Sequence, residues 1–297
     1  MKINGDYLEF TDLELKKRSE SKIGGHAFAE LLGLNEYATP CDALLTHFYI
    51  VEGTFDERYR RRGDWAEKIA AQVMKKRGKN VKLYNDKNYY GDCFGKKVHP
   101  VMGGVIDVEL PDDKTLVEVK SKSLSDLEKI EANPPKHEVI QGLLYGYLKG
   151  YERITMMWIF FDPVTEQQIF DNKPITSFKE IKKLEQTYTV NRQAMEKMIN
   201  KVIEIRDNFL KEKKIALAAL SPKMVERVKK RIKEAEEKQI YHLDFDQFME
   251  DMMKPNSSVV SALSEQNPYK KDSNAIETVN SETCEIPVPY IKGNKDV

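Results

Sequence analysis

Residues 103–120 constrain this chain more than any other stretch. Two short runs, Val105-Ile106-Asp107-Val108-Glu109-Leu110 and Thr115-Leu116-Val117-Glu118-Val119-Lys120, flank the turn-like cluster Pro111-Asp112-Asp113-Lys114. Runs rich in β-branched residues on either side of Pro and Asp make a β-hairpin. With Asp112 and Asp113 as the two loop residues, counting outward sets Asp107 opposite Glu118. Successive strand side chains point to opposite faces. Ile106, Val108, Leu110, Val117 and Val119 therefore form one apolar face, and Asp107, Glu109, Glu118 and Lys120 form the other. The first face belongs to the core and the second is open to chemistry.

Carboxylates directly opposite one another, with Cβ atoms roughly 4.5–5.5 Å apart, repel and destabilise a sheet unless something compensates. A divalent cation compensates. Oxygen donors from two carboxylates suit Mg²⁺ or Mn²⁺, and a lysine beside them orients or deprotonates an attacking water. An amphipathic hairpin with a merely solvated charged face has the same pattern, since charged residues are mostly exposed.

Composition narrows the classes. At 297 residues and 40% hydrophobic content, the chain can fill one large core with extensions, or two small ones. Lys+Arg and Asp+Glu balance at 48 each, so no global basic field marks a nucleic-acid binder and any such footprint is local. The densest basic clusters are Arg58, Arg60, Arg61 and Arg62, then Lys75, Lys76, Arg77 and Lys79. They suit phosphate neutralisation, and equally a solvated helix face. Cys41, Cys93 and Cys284 are too far apart for a disulfide framework or a C-x-x-C knuckle, which fits a reducing cytoplasm. The first residues open no apolar signal segment, and no run approaches the roughly 18 apolar residues of a membrane span. The expectation is a cytoplasmic protein that is not exported.

Asp107 followed by Glu118-Val119-Lys120 on a hairpin resembles the PD-(D/E)XK nuclease core. Three further segments appear in the order found in the lambda exonuclease/YqaJ and RecB-like branch. Ile23-Gly24-Gly25-His26-Ala27, with Leu32-Gly33-Leu34-Asn35 and Tyr37 behind it, is similar to the IGGS opening of YqaJ-type viral recombination nucleases. His26 replaces the family's serine, and the preceding basic residue is Arg18 or Lys22 at altered spacing. Gly63-x-x-x-Glu67 resembles the family's G-x-x-x-E helix, and Gln141-x-x-x-Tyr145 the RecB-like Q-x-x-x-Y motif.

The resemblance implies an α/β fold with a restriction-endonuclease-like core, a mixed sheet flanked by helices, and a C-terminal helical extension. It implies that Asp107, Glu118, the Val119 carbonyl and Glu67 hold Mg²⁺, with Mn²⁺ as the alternative, and that Lys120, Gln141 and Tyr145 serve catalysis. Arg18, Lys22, Gly24, Gly25, His26, Arg61 and Arg62 are the DNA-binding candidates, the glycine segment for a terminal phosphate. The implied activity is 5′-to-3′ double-stranded DNA exonuclease of a phage-type recombination system in bacterial or phage-infected cytoplasm. Its partners would be duplex DNA ends, a single-strand annealing protein and further copies of the chain. A structure-specific or restriction-type endonuclease, or a catalytically idle DNA-end-binding protein, would carry the same residues.

Along the rest of the chain, residues 11–20 suit a short helix with a Thr11/Glu14 capping box, and residues 40–51 a buried helix. Strands are expected at 81–90, 96–99, 153–161 and 166–170, with a helix at 136–149. Residues 121–135 should be loop or broken helix, because Pro134-Pro135 cannot lie inside one. Beyond residue 177, apolar residues recur every three or four positions, and Ser221-Pro222 opens a last helix. The expected division is a nuclease core at 1–172, a helical extension at 173–253 and a disordered tail at 254–297, where large apolar residues are few.

Overall fold

Thr11 accepts a hydrogen bond from the Glu14 amide and donates its own N–H to the Glu14 carboxylate, so the first helix starts where its capping box predicts. The computed structural model describes residues 1–19, 21–53, 56–84, 91–173 and 181–237. Met1–Glu236 form one compact unit. The expected tail at 254–297, with Cys284, lies outside the described residues.

In chain order the elements begin with β1 (Lys2–Asn4), β2 (Tyr7–Glu9), α1 (Asp12–Ser19), α2 (Gly25–Leu31), α3 (Pro40–His47) and α4 (Glu57–Lys76). The central ones are β3 (Lys82–Leu83), β4 (Val108–Leu110), β5 (Thr115–Ser123), α5 (Leu127–Ala132), α6 (Lys136–Lys149) and β6 (Arg153–Phe161). Then come α7 (Pro163–Phe170), β7 (Lys182–Thr189), α8 (Arg192–Glu212), β8 (Lys214–Ala216) and α9 (Pro222–Glu237).

The core is a five-stranded mixed sheet of order β3-β4-β5-β6-β7, in which only β5 and β6 run parallel. Parallel neighbours need a crossover, and α5 and α6 supply it. One face of the sheet packs Val117, Val119, Met157, Ile159 and Phe161 against Ala66, Ala70 and Met74 of α4 and Ile169 of α7. The other packs Leu116, Met156, Trp158 and Phe160 under Ile140, Leu144 and Leu148 of α6. Two covered faces make this the mixed α/β core with flanking helices that the sequence implies. A second, three-stranded sheet of order β1-β2-β8 joins the N-terminus to the segment after α8.

Several expectations need correction. Val108 pairs with Val117 and Leu110 with Thr115, so the register is the expected one, but the turn takes four residues, with Lys114 at φ 48°. Ile106 joins the cluster under α6 rather than the Val108 face, because regular alternation stops where β4 begins at Val108. The charged face is not open: α6 covers it, and Glu118 is only 2% exposed. The expected strand at 81–90 reduces to Lys82–Leu83 among the described residues.

Residues 96–98 form a turn and His99 lies in no strand, where a strand was expected. Side chains satisfy the backbone there: Asp92 accepts from the amides of Phe94 and Gly95, and His99 Nδ1 from those of Val101 and Met102. Residues 166–170 belong to α7, a helix capped by Asp162 with Pro163 in its first turn. That pair is a helix start, read from sequence as a turn. The expected all-helical texture of 173–253 is interrupted by β7, which pairs antiparallel with β6 along its length and completes the core sheet.

Candidate active site

β5 sets the site. Its alternation sends Leu116, Glu118, Lys120 and Lys122 toward α6, and Val117, Val119, Ser121 and Ser123 toward α4. β4 begins at Val108, and Asp107, one residue before it, turns its Oδ2 to accept the Val119 N–H at 2.7 Å. A residue's N–H and C=O leave an antiparallel strand on the same side, so the Val119 carbonyl also opens past the end of β4. Asp107, Glu118 and that carbonyl are thereby gathered at one place.

Lys120 Nζ donates to Glu118 Oε1 at 2.9 Å and to Gln141 Oε1 at 3.0 Å. One turn further along α6, the Tyr145 hydroxyl accepts the Gly25 N–H at 3.2 Å. Gln141 and Tyr145 share a helix face as i and i+4 residues do. Burial pushes the Tyr145 phenol above its usual range, with the Glu118 charge adding to it, so the hydroxyl stays neutral.

Burial and mutual repulsion set the electrostatics of the cluster. Burial, then the Asp107 charge, pushes the Glu118 carboxyl up to about 8. Burial pushes Asp107 up to about 7 against the pull of Lys120, with Glu67 of α4 raising it further. Burial lowers Lys120, but the charges of Glu118 and Asp107 outweigh it and hold the ammonium above its ordinary range.

Among the described residues no three His, Cys, Asp or Glu side chains converge as a ready-made ion cage. Two carboxylates and a strand carbonyl are nevertheless a fitting donor set for Mg²⁺, which is commonly bound through one or two carboxylates and keeps several waters.

The DNA-binding candidates fare differently. A Cβ on Gly25 would lie 2.4 Å from Gln141 Cγ, so this glycine exists to let α2 reach α6, and its amide is already bound to Tyr145. Gly24 caps α2 in extended conformation, with open space where a Cβ would be. His26 is 70% exposed and pairs with Glu30 at 3.2 Å.

Lys22 is not an open cation. Its side chain is 10% exposed, bound to Asp92 at 2.7 Å and to the Gly95 carbonyl at 2.6 Å. Arg62 is buried, paired with Glu166 and donating to the Ser121 carbonyl, so it ties α4, β5 and α7 together instead of facing a ligand. Arg61 donates to the Phe170 carbonyl at 2.7 Å at the end of α7. The Arg18 side chain lies outside what is described.

Two buried carboxylates escaped the sequence reading or were misplaced by it. Glu138 accepts Lys122 Nζ at 2.6 Å and Trp158 Nε1 at 2.7 Å, beside the Lys120–Gln141 bond. Its signal was available: it stands one helical turn before Gln141. Glu109, expected on the site face, is held apart by Tyr84, Tyr151 at 2.6 Å and Lys149 at 2.9 Å.

The mixed sheet and the helix across it thus bring Asp107, Glu118 and Lys120 of the hairpin together with Gln141 and Tyr145 in one buried cluster. No family model matches the chain. It is 33% identical over 129 residues to the uncharacterized protein MG373 homolog of Mycoplasma pneumoniae, across 39% of this chain and 45% of that protein. The chain therefore spans less than half the length of this curated relative.

Among solved structures it is similar to a phage-related exonuclease from Haemophilus somnus 129PT, with a TM-score of 0.46 and 13% identity over 65% of this chain and 96% of that one. An alkaline exonuclease from Laribacter hongkongensis gives a TM-score of 0.44 and 12% identity over 75% and 99%. The same enzyme in complex with dAMP gives 0.44 and 12% over 68% and 95%. All three likenesses are distant.

Proposed function

We propose that this chain is a divalent-metal-dependent phosphodiester hydrolase acting on DNA, and specifically a 5′-to-3′ exonuclease that enters at duplex ends and leaves a single strand for an annealing partner. The observation that carries it is the buried pair Asp107 and Glu118 with Lys120 bridging from Glu118 to Gln141. The direction of cutting comes from the YqaJ-type resemblance of residues 23–37.

Asp107, Glu118 and the Val119 carbonyl would hold Mg²⁺ or Mn²⁺, with Glu67, whose charge reaches Asp107, supporting it through water. Such an ion, when bound, supplies charge stabilisation for the phosphoryl group and a lowered pKa for water. Lys120 would orient the attacking water and steady negative charge building on the phosphoryl oxygens. Gln141 fixes the Lys120 rotamer, and Tyr145 fixes α2 against α6 through the Gly25 amide. The α6 cover keeps bulk water away and strengthens each of these contacts.

The test is purified protein with Mg²⁺ on strand-labelled linear duplex, beside relaxed closed circles and an EDTA control. Exonuclease action degrades the linear form from its 5′ ends and spares circles. Rapid cutting of circles favours the endonuclease, and binding without cleavage the idle end-binder.

A further inference from the structure

Lys122 follows Lys120 by two residues on β5, so both ammonium groups lie on the face covered by α6, their Cα atoms about 6.6 Å apart. Successive phosphates of a nucleic-acid strand are separated on the same scale. Lys120 is directed at the acid pair and Gln141. Lys122 meets Glu138 Oε1 at 2.6 Å, and His137 Nε2 approaches the same oxygen at 3.8 Å. The other oxygen, Oε2, takes Trp158 Nε1 at 2.7 Å, and Trp158 is the β6 residue in register with Lys120.

Glu138 is thus an anchored anion whose side chain is 9% exposed, holding a lysine whose side chain is 23% exposed. An ammonium has three donor hydrogens, and among the described residues Glu138 is the acceptor recorded for Lys122. A contact needed only for packing between β5 and α6 is met elsewhere by Leu116 and Leu144. A buried ion pair offers little stability over such apolar residues.

On the nuclease reading above, we propose that Lys122, steadied by Glu138 with His137 beside it, is a second phosphate subsite that receives the strand phosphate adjoining the one being cut. Lys120 and Lys122 then grip consecutive phosphates. Glu138 keeps Lys122 in place while the lysine's remaining hydrogens reach the substrate.

Duplex binding in EDTA, followed by fluorescence anisotropy across a salt series, reads this without cleavage. Lys122→Gln is expected to weaken binding roughly five- to tenfold at low salt and to lower the salt slope by about 0.9, the loss of one phosphate contact. Lys122→Arg should restore the slope, and Glu138→Gln, which keeps an acceptor for Trp158 but relaxes the hold on Lys122, should keep the slope and lose part of the affinity. If Lys122→Gln leaves Glu138 unpaired and does not fold, the double variant Lys122→Met with Glu138→Gln carries the same expectation. A wild-type slope and affinity in Lys122→Gln, or in the double variant that stands in for it, with only the melting temperature lowered, overturns the subsite while leaving the nuclease reading intact. Absence of duplex binding by the wild-type protein overturns both.

Discussion

Lys120 donates from Nζ to Gln141 Oε1 at 3.0 Å, and this bond joins the hairpin bearing the acids to the helix lying across it. α2 packs against the same helix, and its approach depends on Gly25, whose missing Cβ would lie 2.4 Å from Gln141 Cγ.

Gly25→Ala should therefore push Gln141 off Lys120. Overpacking of this kind costs about 1–3 kcal/mol, and loss of the lysine's alignment should lower cleavage on the order of 10²-fold. Denaturant melts and single-turnover rates on linear duplex check it; an unchanged rate would show that Gln141 does not set the Lys120 position.

Arg62→Ala should be a stability variant. It leaves Glu166 with the Ser123 hydroxyl but no cation, and removes a donor to the Ser121 carbonyl. Breaking a buried pair in this way costs about 3–5 kcal/mol. Urea unfolding measures the loss, and Glu166→Gln in the Arg62→Ala background should recover part of it. Duplex affinity of the folded fraction should stay at the wild-type value, since Arg62 faces the protein interior.

The hairpin register and helix α6 were legible because their signals are local: alternation in 105–120, and Gln141 and Tyr145 on one helical face. The function of Gly25 was not legible, because the residue it must admit is Gln141, far along the chain. The arginines of α4 read as a surface cluster, yet Arg62 is drawn inward by Glu166, whose own helix was taken for a strand. Strand β7 was hidden because Lys182-Lys183-Leu184-Glu185-Gln186 has too few apolar residues to alternate; pairing with β6 decides its conformation.

Glu109 gives a pH dependence of known sign. Burial raises its pKa, but hydrogen bonds from Tyr151 and Tyr84 and the Lys149 ammonium outweigh it and hold the carboxyl at about 2, against an ordinary 4.5. Its folded pKa is depressed, so its stabilisation is full above about pH 4.5 and fades as pH falls toward 2. The stability difference between wild type and Glu109→Gln should be largest near neutrality and shrink across that acid window. A difference independent of pH would mean that Glu109 is not held as the anion.

Mg²⁺ should raise the melting temperature of the wild-type protein, since a ligand bound by the folded state alone stabilises by about 2.7 kcal/mol at a hundred times its dissociation constant. Glu118→Gln removes one of the two carboxylates and should abolish most of the shift. An equal shift in the variant would put the ion elsewhere.

The most direct measurement is the cleavage rate of 5′-labelled linear duplex by wild type, Glu118→Gln and Lys120→Ala, each with Mg²⁺ and with EDTA, after circular dichroism has established that all three fold. If the buried acids and lysine are the hydrolytic centre, the wild type cuts only with Mg²⁺, and both variants fall by at least about 10²-fold. Wild-type rates in either folded variant would contradict it.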